Sequence, residues 1–174
     1  MVEIRALLEA DRAGVAALDT AFTTATIFAL ELGPRSLTLR ERALPQPRLH
    51  RYPIADVFAH WASWDTAFVA DDAGTIVGFA ACELEPWHAR LVLWHLSVAP
   101  THRRAGLGRA LLQRIEAHGR AHGAHRVWLE TSNINVPGIA AYERMGYALV
   151  GADATLYDGT AAAGEQAIYL AKRL

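Results

Sequence analysis

Leu91-Val92-Leu93-Trp94-His95-Leu96-Ser97-Val98-Ala99-Pro100-Thr101-His102-Arg103-Arg104-Ala105-Gly106-Leu107-Gly108-Arg109 is the stretch whose reading decides the fold. Its first eight residues are apolar apart from His95 and Ser97, the pattern of a strand covered on both faces. Beyond the turn, Leu107, Ala110, Leu111 and Ile115 recur at helical spacing. Gly106 and Gly108 let the backbone turn tightly, and the first N–H groups of the helix have no intrahelical partners. With the helix dipole and Arg103, Arg104 and Arg109 beside them, these groups suit an anion such as a diphosphate. Taken alone, the same residues also fit a plainer reading, an arginine-rich loop that faces solvent with glycines that only close it. Two other phosphate motifs do not fit. No Lys-Ser/Thr follows Gly108 as a P-loop requires, and Leu111 stands where a dinucleotide fingerprint has its third glycine.

Upstream of this stretch, Ala67 to Ala70 and Thr75 to Ala81 flank Asp71-Asp72-Ala73-Gly74, the composition of a β-hairpin. Val2 to Leu7 reads as a short strand, and Glu9-Ala10-Asp11 opens a helix through Val15, Leu18 and Ala21-Phe22. Between Thr24 and Pro53, Ser36 to Arg40 alternates like a strand, and Pro34, Pro45, Pro47 and Pro53 cut the rest into extended pieces. Asp56 to Trp64 suits a helical turn or two, with Trp61 and Trp64 three apart. Downstream, Val127 to Thr131 reads as a strand and Val136 to Met145 as a helix, with Pro137 in its first turn and Gly146 as its stop. Ala148 to Ala152 and Ala167 to Leu170 are two further strands around the 158–164 loop. Asn135 and Tyr142 lie seven apart, two helical turns, so both polar groups share a face. Singly, each also fits a structural role, an N-cap and a half-buried core residue.

At 174 residues and 52% apolar content, a single compact domain over 1–174 is expected. The formal net charge is −1 with dispersed basic residues, which argues against nucleic acid as a partner. The start Met1-Val2-Glu3-Ile4-Arg5 has no signal-peptide pattern and no apolar stretch is long enough for a bilayer, so a cytoplasmic protein without a membrane partner is expected. Cys82 is the only cysteine, which rules out an intrachain disulfide and reads as a small core residue. His118 and His122 have metal-compatible spacing and His125 follows. Gly119 and Gly123 interrupt the run and no carboxylate completes a site, so a solvated helix end near the negative dipole pole is the simpler account and no metal is expected.

Together, the Val98-Ala99-Pro100 strand end, the Arg103 to Gly108 turn and the Asn135…Tyr142-Glu143-Arg144-Met145-Gly146-Tyr147 helix resemble the GNAT acetyltransferase superfamily in order and spacing, over about residues 67–147. The resemblance implies an α/β fold with a central mixed sheet flanked by helices and splayed between its fourth and fifth strands, Leu91–Val98 and Val127–Thr131, around the pantetheine arm of acetyl-CoA. Leu129 to Asn135, Gly151 to Asp158, Glu165 to Leu170 and the Leu37–Tyr52 stretch are further similar to the streptothricin acetyltransferase branch.

The resemblance implies direct attack of a neutral amine on the thioester of acetyl-CoA, with no metal. Tyr142 matches the family's proton donor, and a phenol is close to an alkyl thiol in pKa. The backbone of Leu96, Ser97 and Val98 would pair with pantetheine and offer an N–H to the oxyanion, residues Arg103, Arg104, Ala105, Gly106, Leu107, Gly108 and Arg109 would hold the diphosphate, and Asn135 would bond the pantetheine arm. One position departs from the pattern. Related enzymes often carry Glu or His two residues before Leu96, and here Trp94 stands there. His95 is adjacent, but strict alternation turns it to the opposite face. Glu83, on the neighbouring strand, is the candidate base, directly or through water, Glu130 suits a structural role equally, and a water relay needs neither.

The acceptor implied is a small cationic amine, with a streptothricin-type antibiotic indicated by the branch. Trp61, Trp64, Trp87 and Tyr52 offer aromatic faces and Asp65, Glu83 and Glu85 carboxylates, or several of the tryptophans are core. A protein or peptide N-acetyltransferase and a non-catalytic acyl-CoA-binding module are the alternatives. Periodicity fixes no oligomeric state, and a homodimer stays open.

Overall fold

The computed structural model describes residues 2–59 and 62–174, the side chains of 55 and 56 excepted. In chain order the elements are β1 (Val2–Ala6), α1 (Arg12–Ala16), β2 (Phe22–Gly33), β3 (Ser36–His50), β4 (Thr66–Asp72), β5 (Thr75–Glu85), β6 (Arg90–Val98), α2 (Leu107–Ala121), β7 (Arg126–Ser132), α3 (Val136–Arg144), β8 (Ala148–Asp153) and β9 (Ala167–Arg173). They build two compact units. The first holds residues 1–22, 51–127 and 173–174, and the second holds 23–50 and 128–172. Each unit is assembled from separated stretches of chain, so neither is a consecutive domain that one cut would release.

The first unit is an antiparallel sheet in the order β1-β4-β5-β6, with α2 packed on β4, β5 and β6. The expected hairpin is present: Ala73-Gly74 joins β4 to β5, and the Asp71 carboxylate accepts the Gly74 N–H at 2.7 Å. Val15, Leu18, Ile54, Val57, Ala67, Val69, Phe79 and Ala81 form the core on one face of this sheet. Leu111, Leu112 and Ile115 of α2 are buried at its other face. The strand covered on both faces is β5, where Val77, Phe79, Ala80, Ala81 and Cys82 are all buried. In β6 that expectation holds only for Leu91, Val92 and Leu93, because Trp94 is 43% exposed and residues 95–98 are half-buried. Burial drives the Cys82 thiol up to about 12, as fits an inert core residue.

Two sequence expectations need correction. The first helix ends at Ala16 and does not run on to Phe22. Gly14 weakens so short a helix, and Asp19 accepts the Ala21 N–H at 3.0 Å, a local turn that competes with the next helical hydrogen bond. Of the prolines of the 24–53 region, Pro34 in the turn between β2 and β3 and Pro53 beyond β3 do punctuate the chain, but Pro45 and Pro47 do not, because they lie inside the 15-residue β3, which pairs with β2 as a two-stranded sheet. The two prolines share parity, so both missing donors point to one side of the strand, which a two-stranded ladder can leave unpaired. In the 56–64 stretch a single turn of 3-10 helix covers Ala55–Phe58, and Trp61 lies outside the described residues.

In the second unit the strand order is β7-β9-β8, with β8 and β9 antiparallel. Asn133, only 4% exposed, binds the segments together. Its backbone exchanges hydrogen bonds with Phe28 (3.0 Å) and Gln166 (2.8 Å), its side-chain amide donates to the Phe28 carbonyl (2.8 Å), and its amide oxygen accepts the Gln166 N–H (2.9 Å). Gln166 in turn accepts the Leu30 N–H at 3.0 Å. A buried amide with this many partners fixes the register of β2 against the 128–172 stretch, since slipping by one residue would leave several polar groups unsatisfied.

Candidate active site

The turn after β6 takes its shape from two left-handed residues, Arg104 at φ 64° and Gly106 at φ 83°. A Cβ on Gly106 would meet nothing within 4 Å, so glycine is needed there for the backbone conformation and not for space. Such a turn, leading straight into α2, turns successive N–H groups toward a common concavity. No side chain caps α2 and no acidic residue occupies its first turn, so the positive end of a 15-residue helix lies uncompensated at the turn. Arg104 and Arg109 are exposed beside it. Arg103 behaves differently from the expectation that its guanidinium would meet the anion. Its Nε donates to the Val98 carbonyl at 2.8 Å and its Nη1 to the Ala21 carbonyl at 2.6 Å, and burial lowers its pKa from the usual arginine value. Its fork therefore serves chiefly to pin the turn to the end of β6.

At the middle of β6 the strand pairing slips. Ala81 faces His95 and Cys82 faces Leu93, so Trp94 has no residue opposite and forms a β-bulge. Alternation fails at this point, and the expectation that His95 faces away from Trp94 is overturned. His95 sits opposite Ala81, with its ring 6.0 Å from Phe79, on the face that Glu83 shares by the period of β5. The Trp94 indole reaches the same face and donates Nε1–H to Glu83 Oε2 at 3.0 Å. Burial pushes the His95 pKa down to about 4, so its ring is neutral near pH 7 and is a poor proton acceptor. Leu96, Ser97 and Val98 follow the bulge and complete β6.

Asn135 and Tyr142 lie on α3 of the second unit. Asn135 is the N-cap: its side-chain oxygen accepts the Gly138 N–H at 3.1 Å and its amide donates to Thr131 Oγ1 at 3.0 Å. A Cβ at residue 138 would lie 2.4 Å from the Asn135 amide nitrogen, so glycine is needed there for the cap to close. Tyr142 is half-buried, seven residues along, with its ring edge-on to the buried Tyr147 at 5.6 Å.

The segments that carry the finer resemblance meet in the second unit through side chains. The Tyr157 hydroxyl donates to Glu130, and the Ser132 hydroxyl donates to Glu165 Oε2 at 2.5 Å. Arg48 Nη2 approaches Glu165 Oε1 at 3.7 Å and His50 Nδ1 at 4.0 Å, from the end of β3. Burial raises the Glu130 pKa, against the lowering effect of the Tyr157 hydrogen bond and with the nearby Glu165 charge. No motif pointed to Glu165 or Ser132 individually, since a Glu ahead of a strand and a Ser at a strand end are common on any surface.

The aromatic residues expected at an acceptor mouth divide. Trp64 is core: its N–H donates to the Val57 carbonyl at 2.8 Å and its ring packs edge-on to Phe58 and Phe79. Trp87 is 85% exposed and stacks on His88, 4.0 Å between ring centres. Glu85 is engaged by Arg90 at 2.9 Å and His88 at 2.7 Å. Tyr52 lies against Phe22 and lines an open groove of about 520 Å³ formed by residues 16–20 and 51–54. Among the described residues no group of three or more His, Cys, Asp or Glu side chains could hold a metal ion, and no helix is long and apolar enough to cross a membrane. The His118 and His122 rings lie 4.1 Å apart.

Residues 35–147 match the acetyltransferase (GNAT) family. The chain is 37% identical to the streptothricin acetyltransferase of Streptomyces lavendulae, over 97% of its own length and 93% of that protein's. It superimposes on the crystal structure of a nourseothricin acetyltransferase with a TM-score of 0.90 and 38% identity, covering 99% of this chain and 98% of that one. A Bacillus anthracis protein solved in complex with acetyl coenzyme A shares the fold at 21% identity, with a TM-score of 0.83 over the whole of both chains. The chain therefore belongs to the GNAT acetyltransferase family, has its mixed α/β fold, and is an acetyltransferase that uses acetyl-CoA as co-substrate.

Proposed function

We propose that this acetyltransferase acts in the cytoplasm, moving the acetyl group of acetyl-CoA to a primary amine of a small, multiply cationic acceptor of the streptothricin type. The observation that carries the acceptor class is the near full-length similarity to a streptothricin acetyltransferase, which includes the segments that meet at Glu130, Ser132, Asn133, Tyr157 and Glu165. Buried and half-buried carboxylates of this kind favour ammonium-bearing ligands over neutral ones.

In this reading the amides from Arg104 to Arg109 hold the diphosphate at the uncapped start of α2, with the Arg104 and Arg109 side chains adding charge. The backbone of Leu96, Ser97 and Val98 pairs with the pantetheine amides, and Asn135 bonds the pantetheine arm with the amide proton that the cap leaves over. Glu83 takes a proton from the acceptor ammonium and releases it to solvent, and the lone pair of the resulting neutral amine attacks the thioester carbonyl. An N–H beside the bulge stabilises the oxyanion. The carbon–sulfur bond breaks as Tyr142 protonates the departing thiolate, and the phenolate recovers its proton, through solvent, from the attacking nitrogen as that nitrogen becomes the neutral amide.

The test is kcat/KM measured side by side for streptothricin, spermidine, free lysine and short peptides, with the resistance of cells that express the protein. Streptothricin is expected to exceed the others by at least about tenfold, the scale on which one well-made contact discriminates. Peptides outrunning it by orders of magnitude, with no resistance, would transfer the acceptor assignment to proteins and leave acetyl transfer intact.

A further inference from the structure

The residue that occupies the family's usual base position is an indole, which cannot take a proton, yet it is not idle. Trp94 donates Nε1–H to Glu83 Oε2 at 3.0 Å. Glu83 lies directly across from Val92, so Trp94, two residues on, is its diagonal neighbour on the same face, within reach of a long side chain. The bulge frees Trp94 from a cross-strand partner of its own. We propose that Trp94 is a positioning residue: it holds the Glu83 carboxylate by one oxygen and leaves the other directed at the acceptor amine, so that the base moves across one strand relative to the family pattern while its task is kept.

Three features support this. The bond engages one carboxylate oxygen of a Glu side chain that would otherwise sample several rotamers on a half-exposed surface. The alternative nearby acceptor, His95, is half-buried with its ring 6.0 Å from Phe79, and desolvation keeps it neutral near pH 7. Glu85, the other carboxylate of β5, is already engaged by Arg90 and His88. The inference rests on the reading of Glu83 as the base, and the experiment separates the two.

The experiment is a double-mutant cycle on the full-length enzyme, Trp94→Phe, Glu83→Gln and both together, with kcat, acceptor KM and acetyl-CoA Kd measured for each. Trp94→Phe keeps an aromatic ring at a partly exposed position and removes the N–H together with part of the indole surface, a packing loss that the cycle subtracts because it is the same in both Glu83 backgrounds. It is expected to lower kcat about tenfold, the worth of a modest hydrogen bond to a charged group, with acetyl-CoA Kd unchanged. In the Glu83→Gln background the same change is expected to cost nothing further. Restoration of most of kcat by Trp94→Gln, which keeps an N–H donor but offers no group that takes a proton, also supports the inference. An equal loss from Trp94→Phe in both backgrounds overturns it, as does a Trp94→Phe enzyme with full kcat beside an impaired Glu83→Gln enzyme; in both cases Glu83 keeps its role. Full kcat in Glu83→Gln overturns the base assignment and the positioning with it.

Discussion

Arg103 Nε donates to the Val98 carbonyl at 2.8 Å, tying the first residue of the turn before α2 to the last residue of β6. The second arm of the same guanidinium reaches the Ala21 carbonyl at 2.6 Å, so one side chain fixes the entrance to α2 from two directions. Lysine keeps the charge but cannot supply the fork. Arg103→Lys is expected to cost about 2 kcal/mol of stability and to weaken acetyl-CoA binding through misplacement of the turn. Urea denaturation and calorimetry check the two effects, and an unchanged midpoint with unchanged affinity would show that the fork is dispensable.

The left-handed backbone of Gly106 makes a second, graded prediction. Gly106→Ala meets no steric obstacle but must adopt a conformation that disfavours a Cβ by about 1 kcal/mol, so acetyl-CoA affinity should fall several-fold. Gly106→Asp adds a negative charge where the diphosphate is to bind and should lower affinity by more than about a hundredfold. Calorimetric affinities that stay equal in parent and both variants, each still folded by circular dichroism, would move the diphosphate elsewhere.

Tyr142→Phe keeps the ring that packs edge-on to Tyr147 and removes only the hydroxyl. If the hydroxyl protonates the thiolate, kcat should fall by about a hundredfold or more while acetyl-CoA Kd changes little. Equal kcat in variant and parent would remove Tyr142 from the chemistry.

Glu130 predicts a pH dependence of stability. Burial, the largest cause, raises its pKa in the folded protein above the unfolded value. The stability it contributes is then fully present below the ordinary carboxyl range and is lost as pH rises through the raised folded value, because the buried group must then ionise. Glu130→Gln cannot ionise and still offers an oxygen to the Tyr157 hydroxyl. Its melting temperature relative to the parent should therefore rise between about pH 4 and pH 8. A difference that is flat across that range would mean that Glu130 is not ionising against burial.

Local physics explains what could be read in advance. The β6–turn–α2 order, the Ala73-Gly74 hairpin and the start of α3 at Asn135 all follow from periodicity, glycine placement and capping within a few neighbouring residues. Helical periodicity continues past Ala16 although the helix does not, because the side chain of Asp19 competes for the backbone there. Pro45 and Pro47 look like breaks in the sequence but are not, because whether a missing donor matters depends on which side of the strand is paired.

By itself the sequence determined the order of elements, the anion-suited turn at Arg104 to Arg109, the cap at Asn135 and the absence of a proton-accepting side chain at Trp94. Each of these depends only on residues close together in the chain. Tertiary structure decided the bulge that brings Trp94 and His95 to one face, the hydrogen bond that gives Glu83 its partner, the commitment of Arg103 to the Val98 and Ala21 carbonyls, and the meeting of Glu130 with Tyr157 and of Ser132 with Glu165. These depend on register between strands and on which distant side chains are buried together. A shift of one residue in that register reverses the face of every side chain along a strand, and composition carries no record of it.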